Sequence, residues 1–153
     1  MEVPERESRL TPRLVNALYV EAMLLADEAR AYFDEHGRDD RETLAPMLRV
    51  GFSCESLKVT TRLMHVIAWL LTRRAVETGE LNEAQGQHPS RRLGHAAASD
   101  EALVAQLPGD ARALIGSSLE LYARVKRLDM GMETAAVMPS PARSLMRRIE
   151  ASF

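Results

Sequence analysis

The chain has 153 residues, 46% hydrophobic and 27% charged, and a formal net charge of -2. This length suits one domain with a sizeable core, and the composition excludes a disordered chain. The small net charge argues against nucleic-acid binding, which needs a basic excess or stripe. A single cysteine, Cys54, excludes an intrachain disulfide framework and predicts a reducing, cytoplasmic location. We see neither a signal peptide nor an apolar run of the roughly 20 residues that a membrane span needs, so we expect no membrane association.

The first helix is predicted over about 12–36. Thr11 is a typical N-cap, and Pro12 suits the first helical position. Apolar residues then recur at steps of three and four as far as Tyr32, which indicates one buried helical face. Gly37 is typical of a residue that ends a helix.

The second helix is predicted over about 42–78, with Pro46 in its first turn and Gly79 after its end. Its middle, Leu63 to Leu71, is apolar except for His65, so apolar side chains point in every direction around the helix. Such a helix must be covered on every side. We interpret His65 as a core or interface histidine, with a pH-sensitive interface group as the alternative. The candidates for the core or for a dimer interface are Leu63, Met64, Val66, Ile67, Trp69 and Leu70.

Two further strips run along the same helix. Glu55, Lys58 and Arg62, at i, i+3 and i+7, are either a solvated face or a polar strip that recognises a partner. The other strip is mostly apolar and consists of Met47, Cys54, Leu57, Thr61, Met64, Ala68 and Leu71.

The rest of the chain predicts one more long helix and a short one. Residues 80–98 have no sustained period and are interpreted as a long loop that is either mobile or a site for a partner. A third helix follows over about 109–130 and ends at Gly131. Residues 132–153 are predicted to be a linker and a short C-terminal amphipathic helix, in which Arg147 and Arg148 are candidates for binding an acidic partner.

We therefore predict an all-α protein. Residues 1–131 would form an antiparallel three-helix bundle with up-down-up connectivity. Helices one and three can cover only part of the second helix, so we expect the remaining apolar surface to meet a second copy in a twofold homodimer.

The sequence contains none of the common catalytic or ligand-binding motifs. It lacks HExxH, paired ExxH, CxxC and the glycine-rich phosphate loops. Cys54 and His65 lie eleven residues apart on one predicted helix, about 16 Å along its axis, which is too far for a nucleophile and its base. We predict no enzyme activity, no catalytic residue, no cofactor and no metal.

Three segments resemble the RcdA-like family of alphaproteobacteria, whose founder regulates CtrA degradation. The most specific is ESLKVTTRLMHVIAWLLTRRAVETGEL, from Glu55 to Leu81. EARAYFDEHGR (Glu28 to Arg38) and LYARVKRLD (Leu121 to Asp129) agree with it.

The resemblance implies a homodimeric three-helix bundle without catalytic activity. It implies an adaptor in regulated proteolysis by ClpXP, which helps to deliver cell-cycle regulators such as a CtrA-type response regulator. The expected partners are the ClpX unfoldase complex, other adaptors and the substrate. The alternative is a signalling or transcription-regulatory helper that binds a protein unconnected to the protease.

Overall fold

The structure, a computed structural model, describes residues 10–137, 148–149 and 151–152, except for the side chains of 134–137. The described residues are all-helical, with no strand among them, which confirms the predicted class. The α-helices are α1 (Pro12–Ala31), α2 (Arg38–Glu42), α3 (Pro46–Glu77), α4 (Glu83–Gly86), α5 (Glu101–Val104) and α6 (Gly109–Val137). A π-helical turn (Tyr32–His36) follows α1, and a 3-10 turn (Pro89–Arg91) follows α4.

Local signals explain where the first two long helices begin. The Thr11 side chain accepts a hydrogen bond from the Leu14 backbone N–H at 3.1 Å, so it caps α1. Ala45 is extended, as expected of a residue before proline, and Pro46 opens α3. The predicted second helix is therefore divided, because residues 38–42 form a separate short helix before this break.

The orientation of the long helices differs from the prediction. Phe33 of the turn after α1 packs on Phe52 near the start of α3, and Arg74 near its end lies over Tyr19, so α1 and α3 are antiparallel. In contrast, α6 runs parallel to α3. Arg62 donates to Ser118, and Trp69 donates to Asp129, so residue numbers rise together in the two helices. The predicted up-down-up connectivity is wrong, because the chain between α3 and α6 returns along α3 before α6 begins.

The end of the third long helix was also predicted too early. Helix α6 continues through Gly131 to Val137. A glycine inside a helix costs only about 1 kcal/mol, which contacts elsewhere can offset. Here the Arg92 guanidinium pairs with Glu133 at 3.0 Å, and the Met132 sulfur lies 3.9 Å from Arg73. Most of the predicted C-terminal helix lies outside the described residues.

An aromatic cluster joins the end of α1 to the start of α3. Tyr32, Phe33 and Phe52 pack with ring centroids 5.1–6.1 Å apart. The Tyr32 hydroxyl donates to Asp40 at 2.7 Å. Burial, and then the Asp40 carboxylate, raise the pKa of the Tyr32 phenol above its usual value.

The raised pKa predicts a loss of stability at high pH. Tyrosine in the unfolded chain ionises near pH 10, whereas Tyr32 in the folded chain keeps its proton. Its contribution is therefore fully present below about pH 10 and is lost as the pH rises above it. In urea titrations, Tyr32→Phe should be less stable than the parent by about 1–2 kcal/mol at pH 8, because a hydrogen bond to a charged acceptor is lost. This difference in the free energy of unfolding between the parent and the variant should narrow by up to about 1.4 kcal/mol at pH 11. A difference that is the same at pH 8 and pH 11 would contradict the prediction.

Candidate protein-interaction surface

The segment between α3 and α6 lies along both helices rather than forming a detached loop. We call residues 92–100 the return segment. At one end, Arg92 pairs with Asp129 of α6 at 2.7 Å. Hydrogen bonds to Asp129, and then to Glu133, raise the pKa of the Arg92 guanidinium. In the middle, the Tyr122 hydroxyl donates to the Gly94 carbonyl at 2.6 Å. Part of the predicted loop is thus an ordered third layer against α3.

A buried polar network, which we call the latch, holds the other end of the return segment. It consists of Glu55 and Arg62 of α3, Ser99 of the return segment and Ser118 of α6. Arg62 donates to the Ser99 hydroxyl at 2.7 Å, and this hydroxyl donates to a Glu55 oxygen at 2.7 Å. Arg62 also donates to the Ala97 carbonyl at 2.9 Å and to the Ser118 hydroxyl at 3.2 Å. Glu55 and Arg62 are 0% and 1% exposed, so both side chains are bound within this chain.

The latch corrects the prediction for the charged strip on the second helix. Glu55 and Arg62 point into the protein, and burial lowers the pKa of the Arg62 guanidinium, although the Glu55 charge opposes this shift. Neither is offered to a partner on the surface. Lys58 is half-buried, with its ammonium 3.3 Å from Glu55. Its role in partner binding stays a prediction, as does that of the exposed Arg148, and Arg147 lies outside the described residues.

The six apolar candidates divide into two groups. Leu63, Val66, Trp69 and Leu70 are buried in the core of this one chain. Ile67 is half-buried and Met64 is 65% exposed. The first four therefore need no second copy to cover them, because α1, α6 and the return segment already do so. His65 is half-buried, and its ring lies so close to Gly94 that a methyl group there would overlap it.

The exposed apolar surface of α3 lies instead on its mostly apolar strip. We call this surface the apolar stripe; it comprises Met47, Val50, Cys54, Leu57, Thr61, Met64, Ala68 and Leu71. All eight side chains are exposed, from 48% at Leu71 to 80% at Met47 among the large ones. The steps of three and four were visible in the sequence, but the pattern alone could not show which strip the rest of the chain covers.

A groove borders the apolar stripe, between α1 and α3. It encloses about 320 Å³ and includes Phe33, Leu63 and Ile67 in its lining. Two carboxylates, Asp27 and Asp34, also line it. The groove and the stripe together make this side of α3 the main candidate surface for a protein partner.

The described residues were also compared with the requirements of a metal site and of a membrane span. Within the described residues, no group of three or more His, Cys, Asp or Glu side chains could hold a metal ion. Cys54 is a free, exposed thiol. Among the residues that the structure describes, no helix is both long and apolar enough to cross a membrane.

Comparison with known proteins finds a family model and a solved structure that match this chain. Residues 6–153 match the family model described as "Protein of unknown function (DUF1465)". The crystal structure of RcdA from Caulobacter crescentus CB15 is similar, with a TM-score of 0.63 and 34% sequence identity. The match covers 79% of this chain and 90% of that chain. No curated protein sequence matches.

Proposed function

Since this chain belongs to the RcdA-like family (DUF1465), as its sequence segments predicted, we propose that it is a non-enzymatic adaptor in regulated proteolysis. In this proposal it helps ClpXP to degrade cell-cycle regulators such as a CtrA-type response regulator, in the cytoplasm. The observation that carries the proposal is the 34% identity to RcdA over 79% of this chain.

The surface of the protein supports a role in tethering. An adaptor that binds a substrate and a protease at once raises their local concentration without new chemistry. It needs a rigid body with exposed contact surfaces. The latch fixes the return segment on α3, while the groove between α1 and α3 remains open to a partner.

We further propose that the protein is a homodimer. Much of the Leu63 to Leu71 run is covered within one chain, and the apolar stripe is the surface of α3 that a second copy would cover. A twofold pair is the commonest symmetric assembly and would cover the same stripe on both copies.

Reconstituted degradation tests the adaptor proposal. The protein is added to ClpX, ClpP, a CtrA-type response regulator and the cognate co-adaptors, and the loss of the regulator is followed over time. We expect faster degradation when the protein is present. A substrate that the protease degrades without an adaptor is the control and should be lost at an unchanged rate. Unchanged turnover of the regulator would overturn the proposal and favour a helper unconnected to the protease.

A further inference from the structure

The apolar stripe has the spacing of a coiled-coil seam. Its eight positions, from Met47 to Leu71, alternate steps of three and four residues, the spacing of a and d positions in a heptad repeat. At 1.5 Å per residue it is about 36 Å long. With the width of one helix, its projected area is on the order of 400 Å², as large as the patches that mark interaction sites on soluble proteins.

A second copy of this chain is the occupant that the stripe fits best. None of the eight side chains is charged, although 27% of all residues are. Without charge, the stripe does not repel its own image, and it offers nothing to select a partner of opposite charge. A heptad seam also matches a partner with the same spacing, and a second α3 has it.

The sizes of the side chains decide the direction of pairing. In a parallel pair each side chain would face its own copy, so Thr61 would face Thr61, and Ala68 would face Ala68. An antiparallel pair centred near residue 59 instead places each of the three smallest residues opposite a larger one. Large opposite small is how facing layers interdigitate without voids. Antiparallel helix dipoles favour the same direction.

We propose that two copies pair through the apolar stripe with their α3 helices antiparallel and a twofold axis near residue 59. The facing pairs are Leu57 with Thr61, Cys54 with Met64, Val50 with Ala68, and Met47 with Leu71. This inference rests on the proposed homodimer and adds its face, direction and register.

The single native cysteine allows a direct test. In the proposed register the two Cys54 residues are offset by about 15 Å along the helix axes, whereas Cys54 faces Met64. A thiol cross-linker is chosen to match the 8–10 Å between the axes of packed helices. We expect the unmodified protein, with Cys54 alone, to stay uncross-linked. The Met64→Cys variant, which keeps Cys54, should give a covalent dimer on a denaturing gel. Met64→Cys in a Cys54→Ser background is the matched control and should not cross-link.

A second cysteine pair tests the same register at another position along the stripe. Val50→Cys with Ala68→Cys, in the Cys54→Ser background, should also cross-link. Leu57→Glu would place two carboxylates near the axis and should weaken dimerisation at least tenfold in sedimentation, while the monomer still folds because Leu57 is 68% exposed.

The outcomes separate the register from the dimer. Efficient cross-linking of unmodified Cys54 would mean a parallel pair and overturn the register. A dimer in sedimentation that neither cysteine pair traps would overturn the face. A monomer at all concentrations would overturn the dimer as well, while the degradation assay would still decide the adaptor role.

Discussion

Replacing Arg62 by alanine is expected to lower the free energy of unfolding by about 3–5 kcal/mol. The guanidinium is 1% exposed and bonds Ser99, Ala97 and Ser118. Its removal takes one of two cationic neighbours from the fully buried Glu55 carboxylate, which keeps only the half-buried Lys58 at 3.3 Å. A buried carboxylate that loses part of its compensation and an Ala97 carbonyl that loses its donor both cost free energy in the folded state only. Urea unfolding followed by circular dichroism measures the loss.

Arg49→Ala on the same helix is the matched control. Its side chain is 38% exposed and lies 3.9 Å from Glu42, so its loss should cost less than about 1 kcal/mol. Replacing Glu55 and Arg62 together by methionine should cost much less than the sum of the single changes, since both buried charges are then removed and only the partly exposed Lys58 loses its partner. If Arg62→Ala is no less stable than Arg49→Ala, the latch does not hold the return segment as described.

Local signals in the sequence predicted the start of α1, whereas the predicted start of the second helix, near residue 42, lies before Pro46, where α3 begins. Thr11 and Pro12 cap and open α1, and Pro46 opens α3, because these residues act on the backbone beside them. Gly131 misled for the same reason. Its local preference favours a helix end, but contacts from Arg92 and Arg73, far away in the chain, hold the next turn of α6.

The latch could not be predicted from α3 alone. Glu55 and Arg62 have the spacing of a solvated charged face, and the sequence of α3 does not indicate that they are buried. Their partners Ser99 and Ser118 are 44 and 56 residues away in sequence from Glu55 and Arg62 respectively. Only the path of the return segment brings them together. That path also explains why the predicted direction of α6 failed.

For a related reason, the sequence did not show which side chains of the Leu63 to Leu71 run stay exposed. The sequence shows that apolar residues surround the middle of α3, but not how many layers cover it. The prediction allowed for two helices, whereas the return segment adds a third layer. It covers the side that holds His65 and Trp69, and the apolar stripe is left open.

Replacing Trp69 by alanine should lower the free energy of unfolding by about 3–5 kcal/mol. The indole is 3% exposed, and its N–H donates to Asp129 at 2.9 Å. The Arg73 guanidinium lies 5.9 Å from the ring centroid. Alanine would leave a cavity between α3 and α6, and these long helices have little room to close it. Thermal and urea unfolding measure the effect.

Trp69→Phe separates the volume of the ring from its hydrogen bond. Phenylalanine fills most of the space and removes only the N–H donor, while Asp129 keeps its two bonds to Arg92. We therefore expect a loss of only about 1 kcal/mol. Since Trp69 lies off the apolar stripe, the difference between Trp69→Ala and the parent should not grow with protein concentration. A growing difference would place the indole in the dimer interface. A loss under 1 kcal/mol for Trp69→Ala would instead mean that the ring is outside the core and free to bind a partner.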